Sequence, residues 1–224
     1  MNKKILVIAS HPDDETLGMG GTILKHTSKE NIVHVLVITD GSSSQYKNYE
    51  KMIKRKKDEA KKSMNILGVK KIEFNTLPDM KLDMIPQIEI NKVIEKKIKD
   101  FKPDIVYTHH GGDINKDHRI VFESTMVALR PKPNQKVNEI YTYETPSSTE
   151  WGIYDEKNIF KSNVFEDISN FVERKIKAVK SYKTELREYP HPRSPEAIKA
   201  YDKRNGITVG KEFVERFYLI RSMK

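Results

Sequence analysis

The stretch ILVIASHPDDETLGMGG, residues 5–21, decides the fold, because an apolar run leads through a short polar loop into a helical pattern. The run predicts a first, buried strand. The loop then places three adjacent carboxylates, Asp13, Asp14 and Glu15, beside His11. Neighbouring carboxylates disfavour each other's ionisation unless a positive charge compensates them. We therefore expect a cation at the end of this strand.

Glycines follow the acidic cluster at three positions, Gly18, Gly20 and Gly21. A glycine has no Cβ and tolerates a close approach of other atoms. These residues predict a turn and helix that pack closely against the strand and the substrate.

The rest of the chain alternates short strand patterns with longer helical ones. Strands are predicted at residues 5–9, 32–38, 71–74, 105–108 and 139–143, and helices at 16–28, 49–67, 85–101 and 119–129. Gly68 and Pro103 lie directly after two of these helices, where such residues commonly end helices. The alternation predicts an α/β fold with a doubly wound, mostly parallel, Rossmann-like sheet.

The pattern becomes less regular after residue 143. It predicts a loop at 146–150, a helix at 168–186, a proline-rich turn at 190–195, a helix at 196–204 and a final apolar run at 213–220. We interpret this part as a C-terminal α/β extension of a single domain spanning residues 1–224.

Composition excludes several classes of protein. The chain has no cysteine, so a metal would be held by His, Asp or Glu. The net charge of +9 comes from lysines spread along amphipathic helical patterns, and no nucleic-acid-binding motif is visible, so we expect no nucleic-acid partner. No apolar run is long enough to insert stably in a membrane. We expect a cytoplasmic protein, and a homo-oligomer is compatible with the sequence.

A second polar loop, HHGGDINKDHR at residues 109–119, follows the strand predicted at 105–108. In doubly wound sheets, ligands bind beyond the carboxyl ends of the strands where the strand order reverses. The loop after the first strand and this loop are therefore expected to meet. His11, Asp14 and His118 supply two imidazoles and a carboxylate, a common ligand set for catalytic zinc, with Fe²⁺ or Co²⁺ as alternatives. Asp13 is then free to act as general base on a water molecule.

Other interpretations compete with this one. An isolated His-Pro-Asp is an ordinary turn or helix cap. A dinucleotide fingerprint fails because Ile23 stands where the third glycine is expected. A glycoside hydrolase would need two carboxylates on either side of the scissile bond rather than adjacent ones. A metal-dependent phosphoesterase and a non-catalytic sugar- or metal-binding protein remain as alternatives.

The residues resemble a known family. HPDDE at residues 11–15 and the D-x-N-x-D-H motif at 113–118 resemble the LmbE-like or PIG-L family of metal-dependent de-N-acetylases. That family includes enzymes that deacetylate N-acetylglucosaminyl phosphatidylinositol and glucosaminyl precursors of mycothiol and bacillithiol. The resemblance continues through Arg130-Pro131, ETPSSTEW at 144–151, SYKTEL at 181–186 and YPHPRSPEAI at 189–198.

The resemblance implies removal of an N-acetyl group from an N-acetylglucosamine-type sugar or conjugate, releasing acetate and a free amine. It implies that His11, Asp14 and His118 bind Zn²⁺, that Asp13 is the base, and that Asp117 orients the histidine region. Several family members carry a histidine where this chain has Asn115. We expect the Asn115 amide to donate to the oxyanion, while Asp13, His110 or His191 acts as general acid.

Contacts with the sugar are expected from a further group of residues on later loops. This group comprises Arg130, the hydroxyls of Ser147, Ser148 and Thr149, the single tryptophan Trp151, and the histidines His110 and His191.

Overall fold

The computed structural model describes residues 2–44, 46–133, 136–152 and 155–224. The strands are β1 (Lys4–Ala9), β2 (Ile32–Thr39), β3 (Lys71–Leu77), β4 (Ile105–His109), β5 (Glu139–Tyr143), β6 (Val164–Asp167) and β7 (Val214–Ser222). The helices are α1 (Asp14–Ser28), α2 (Tyr49–Leu67), α3 (Gln87–Phe101), α4 (Lys116–Ala128), α5 (Val172–Val179) and α6 (Pro195–Ile207). Short 3₁₀ turns occupy Leu82–Met84 and Thr149–Trp151.

The strands form a seven-stranded sheet in the order β3-β2-β1-β4-β5-β7-β6. Neighbouring strands from β3 to β5 are parallel, and the order reverses between β1 and β4. This arrangement confirms the predicted doubly wound sheet. β7 runs antiparallel to both β5 and β6, so the C-terminal extension lengthens the same sheet.

The first strand shows why the sheet is covered on both faces. Ile5 and Val7 pack against α1, α2 and α5, whereas Leu6 and Ile8 pack against α3 and α4. Side chains alternate between the faces of a strand, so an unbroken apolar run requires two apolar partners. A third apolar cluster joins the start of α1 to α5, α6 and the segment before β7.

Most predicted boundaries agree with the structure to within about three residues. Gly68, with a φ of 74°, ends α2 as predicted, and α3 ends shortly before Pro103. The helix predicted at 168–186 is wrong in length, because α5 covers only 172–179 and tight turns follow it. The four-residue strand β6 was not predicted. Among the described residues, no helix combines the length and apolar character needed to cross a membrane.

Two of the predicted glycines allow close packing of α1. A Cβ on Gly18 would lie 2.4 Å from the backbone oxygen of Glu144, and one on Gly21 would lie 2.8 Å from the side chain of Ile168. Both distances are shorter than normal contacts, so α1 can lie this close to its neighbours only with glycine there. This packing fixes the start of α1, where the acidic residues lie.

Candidate metal centre

The two polar loops meet at the carboxyl ends of β1 and β4, as the topology predicts. The carboxylate of Asp14 is fully buried at the start of α1, and His118 is buried in the first turn of α4. His11 lies in the loop between β1 and α1 and is partly exposed. These three side chains form a candidate metal-binding group.

The three candidate ligand atoms form a nearly equilateral triangle. His11 Nδ1 lies 3.2 Å from Asp14 Oδ2 and 3.3 Å from His118 Nε2, and the third side, from His118 Nε2 to Asp14 Oδ2, is 3.4 Å. A tetrahedral ion held at about 2.0–2.1 Å from each ligand atom separates those atoms by about 3.3–3.4 Å. The spacing therefore fits a zinc-sized cation.

A buried oxygen also indicates a missing positive partner. Asp14 Oδ1 is buried and has no hydrogen-bond partner among the described residues. An unpaired carboxylate oxygen in the interior is energetically costly. A cation bound to Asp14 would compensate this negative charge, so the donor set and its surroundings both suit a divalent metal.

The charges around the triangle favour positive charge at its centre. Burial alone would lower the pKa of His118, but the carboxylates of Asp14 and Asp113 raise it to about 9. Burial opposes ionisation of Asp14, yet His118 and His11 hold its pKa well below the usual range. A metal ion would replace the protons that these imidazoles otherwise attract.

Two more carboxylates contact the ring nitrogens of His11 and His118 that lie outside the triangle. His11 Nε2 lies 3.2 Å from Asp117 Oδ2, and His118 Nδ1 lies 3.2 Å from Asp113 Oδ2. A proton on each of these nitrogens leaves His11 Nδ1 and His118 Nε2 free as ligands. Asp117 thus contacts the predicted ligand His11, while the partner of His118 is Asp113.

Asp113 is a candidate site residue to which the sequence analysis assigned no role. The hydroxyls of Ser148 and Thr149 both donate to its carboxylate, the latter at 2.6 Å. These two hydroxyls, which are predicted to contact the sugar, donate to the carboxylate that contacts His118. Asp113 is the first acidic residue of the D-x-N-x-D-H motif, and this position is the feature of the sequence that could have identified it.

Asp79 and His109 were also missed. Asp79 lies 3.4 Å from His11 Nε2 and comes from the turn after β3, where the sequence gives no metal-binding pattern. The ring of His109, at the end of β4, stacks on His118 with centroids 3.9 Å apart. Its Nε2 accepts a hydrogen bond from the Ser10 amide, and burial lowers its pKa to about 4. His109 is therefore a neutral packing partner of His118.

Asp13, the predicted base, directly precedes Asp14, is buried and has an unusual backbone φ of 138°. Burial raises the pKa of Asp13 to about 8, although the nearby guanidinium of Arg193 opposes this shift. Arg193 Nη1 lies 3.2 Å from Asp13 Oδ2. Arg193 belongs to the quoted segment 189–198, but the sequence reasoning did not single it out.

Asn115 lies at the N-cap of α4, where its side-chain oxygen accepts a hydrogen bond from the Asp117 amide. Its Nδ2 lies 3.7 Å from the sulfur of Met80. The amide oxygen therefore caps the helix, and the NH₂ group is the part available to a ligand.

The remaining predicted substrate residues lie at three separate places in the structure. Trp151 and His191 contact each other edge to face, with ring centroids 6.0 Å apart, and Trp151 is 54% exposed. His110 Nε2 donates a hydrogen bond to the backbone oxygen of Asn158 at 2.6 Å. Arg130 lies beyond the C-terminal end of α4, about 20 Å along the helix from its site end, and the structure does not bring it to the site.

The fold and the site together define a doubly wound α/β protein with a candidate His–Asp–His metal-binding group where the strand order reverses. A family model described as PIG-L, GlcNAc-PI de-N-acetylase, matches residues 6–129. The chain belongs to this PIG-L family.

Similar proteins and a similar solved structure support this family assignment. The chain is 32% identical over 196 residues to diacetylchitobiose deacetylase of Thermococcus kodakarensis, covering 83% of this chain and 71% of that protein. It is 23% identical over 221 residues to a probable N-acetyl-alpha-D-glucosaminyl L-malate deacetylase 2 of Bacillus anthracis, covering 96% and 92%. The N,N'-diacetylchitobiose deacetylase structure from Pyrococcus horikoshii matches with a TM-score of 0.78 at 22% identity, covering 98% of this chain and 84% of that one.

Proposed function

We propose that this protein is a zinc-dependent hydrolase that removes the N-acetyl group from an N-acetylglucosamine-type sugar or conjugate. The observation that carries the proposal is the triangle of His11, Asp14 and His118, together with the buried Asp13 that directly precedes Asp14. Two imidazoles and one carboxylate are a usual ligand set for catalytic zinc, and Fe²⁺ or Co²⁺ suits the same set. The relatives named above act, by their names, on acetamido sugars.

His11, Asp14 and His118 would hold the ion, which would polarise the acetamide carbonyl and lower the pKa of a water molecule. Asp13 accepts a proton from the attacking water. The same carboxyl group returns the proton to the nitrogen of the leaving amine, so acetate and a free amino sugar are released. Asp117 and Asp113 keep the two ligand histidines in the required tautomers.

Asn115 supplies a hydrogen bond to the developing oxyanion. Its amide oxygen is used by the helix cap, which fixes the side chain and leaves the NH₂ group as donor. An amide cannot supply a proton at neutral pH, so the general acid has to be another group. Asp13 fits that role because it already holds the proton after the attack.

Replacement of Asn115 by serine is expected to lower kcat by about 10²–10³, the usual effect of losing one oxyanion donor. Serine keeps a good N-cap for α4, so stability and metal content should stay near those of the wild type. Asn115→Ala also removes the cap and should destabilise the protein by about 0.5–2 kcal/mol. Wild-type turnover in Asn115→Ser would show that Asn115 only caps the helix.

The exposed ring of Trp151 contacts the ring of His191 and is well suited to contact a sugar. Aromatic side chains pack against the apolar faces of sugar rings while their polar edges remain hydrated. We propose that this pair contacts the sugar bearing the acetamido group.

A substrate panel tests the proposed function. The purified protein should release acetate from N-acetylglucosamine, diacetylchitobiose or N-acetylglucosaminyl malate, with an equal amount of free amine. Release of phosphate from phosphate esters without acetate would favour a phosphoesterase. Saturable sugar binding with no product of either kind would favour a non-catalytic binding protein.

A further inference from the structure

Arg193 reaches the site from the segment that precedes α6. Its guanidinium makes three contacts: Nη1 donates to Asp13 Oδ2 at 3.2 Å and to Glu185 Oε2 at 2.9 Å, and Nε donates to Ser147 Oγ at 2.6 Å. Only 23% of the side chain is exposed. Arg193 is therefore enclosed between the acidic loop after β1 and the C-terminal segment.

Arg193 supplies the hydrogen bond that holds the side chain of Asp13. Among the described residues, Arg193 is the only side chain that forms a hydrogen bond with the Asp13 carboxylate. The backbone of Asp13 has a φ of 138°, a region that residues other than glycine rarely adopt. Asp13 as a whole is only 2% exposed. The direction of its carboxylate is therefore set by the protein groups that contact it.

A second ion pair fixes Arg193 in turn. Glu185 accepts from Arg193 through Oε2, and its Oε1 lies 2.8 Å from the ammonium of Lys56 on α2. Charges therefore alternate along Asp13, Arg193, Glu185 and Lys56. The planar fork of an arginine can serve Asp13, Glu185 and Ser147 at once, whereas the single ammonium of a lysine cannot match this geometry.

We propose that Arg193 is a positioning residue: it holds Oδ2 of Asp13 so that Oδ1 is the oxygen that exchanges the proton with water and the leaving amine. This inference rests on the proposed role of Asp13. Geometry of this kind acts on the chemical step, because a misplacement of about 1 Å at a reacting group can cost about a hundredfold in rate.

The test compares Arg193→Ala with Arg187→Ala in the metal-loaded protein. Arg193→Ala is expected to lower kcat for acetate release about a hundredfold, with KM within a factor of about three and metal content unchanged. Added guanidinium, well below denaturing concentrations, should restore part of kcat in this variant. Arg187 is the matched control, because it is exposed and, within the described part of the chain, its guanidinium donates hydrogen bonds only to the backbone oxygens of Thr184 and Leu186.

Three results would overturn the proposal. Wild-type kcat in Arg193→Ala would show that Asp13 needs no such support, and a raised KM with unchanged kcat would make Arg193 a substrate contact. Lost kcat with no rescue by guanidinium would indicate a general structural role. If Arg193→Ala does not fold, Arg193→Lys decides: at least a tenfold loss of kcat at constant KM supports the proposal, and wild-type kcat overturns it.

Failure of the proposed function itself would be visible separately. In that case the wild type and Arg187→Ala would also release no acetate from the substrate panel. The comparison of variants is made only with a substrate on which the wild type is active.

Discussion

Replacing Asp13 with asparagine is expected to reduce kcat by about 10²–10⁴ while each chain keeps its metal ion. That range is the usual contribution of a general base. Asparagine is the right substitute, because it is isosteric and tolerates unusual positive φ values better than most residues, and Asp13 has a φ of 138°. The measurement pairs acetate-release kinetics with elemental analysis of the same preparation. Asp13→Ala should give the same pair of results.

The opposite assignment of the two aspartates makes a distinct prediction. If Asp13→Asn lost the metal and Asp14→Asn retained it, Asp13 would be the ligand and Asp14 the base. The geometry favours the first assignment, because Asp14 Oδ2 lies within 3.2–3.4 Å of both candidate ligand nitrogens.

Replacing His118 with alanine is expected to remove the metal and, with it, all measurable acetate release. Of the proposed ligand set, the substitution leaves only His11 and Asp14, and two ligands do not make a stable catalytic zinc site. It also leaves Asp113 buried without its imidazole partner. Elemental analysis after dialysis should find well below one ion per chain, and His11→Ala should behave in the same way.

His110→Ala is the matched control for metal retention. His110 lies in the same loop region as His118, but its ring contacts Asn158 and Phe160 rather than the ligand triangle. The His110→Ala variant should therefore keep one ion per chain. A stoichiometric ion retained in His118→Ala would remove His118 from the ligand set.

The sequence predicts that the two polar loops meet, because the topology places them at the ends of neighbouring strands. His11 and Asp14 follow β1, and His118 follows β4, and these two strands are neighbours at the reversal of strand order. A parallel sheet fixes where such loops meet. Ligand-type residues in two loops could thus be joined without any knowledge of side-chain packing.

The residues around this centre were not predictable in the same way. Asp79 comes from the turn after β3, and Arg193 from the segment before α6, some 180 residues from Asp13. Neither stands in a local pattern that signals a ligand or a base. Their roles depend on how irregular segments fold back over the sheet, which hydrophobic periodicity does not describe.

The fold shows the same division between regular and irregular parts. The parallel core was predicted because its strands are short runs rich in apolar and β-branched residues that alternate with helical patterns. β6 has only four residues and lies at the sheet edge, with three half-buried positions and one exposed position, so its pattern is weak. The helical periodicity of 168–186 includes the turns after α5, where Tyr182 is buried and donates to Glu15 at 2.5 Å. A tertiary contact, not helix formation, fixes that segment.

The most direct test of the central claim is a metal titration of the apoprotein. The protein is stripped with a chelator and dialysed, and acetate release from the best substrate of the panel is measured as zinc is added. Activity should be near zero without metal, rise linearly and reach a plateau at about one ion per chain. Acetate release that is the same before and after metal removal would contradict a metal-dependent site formed by His11, Asp14 and His118.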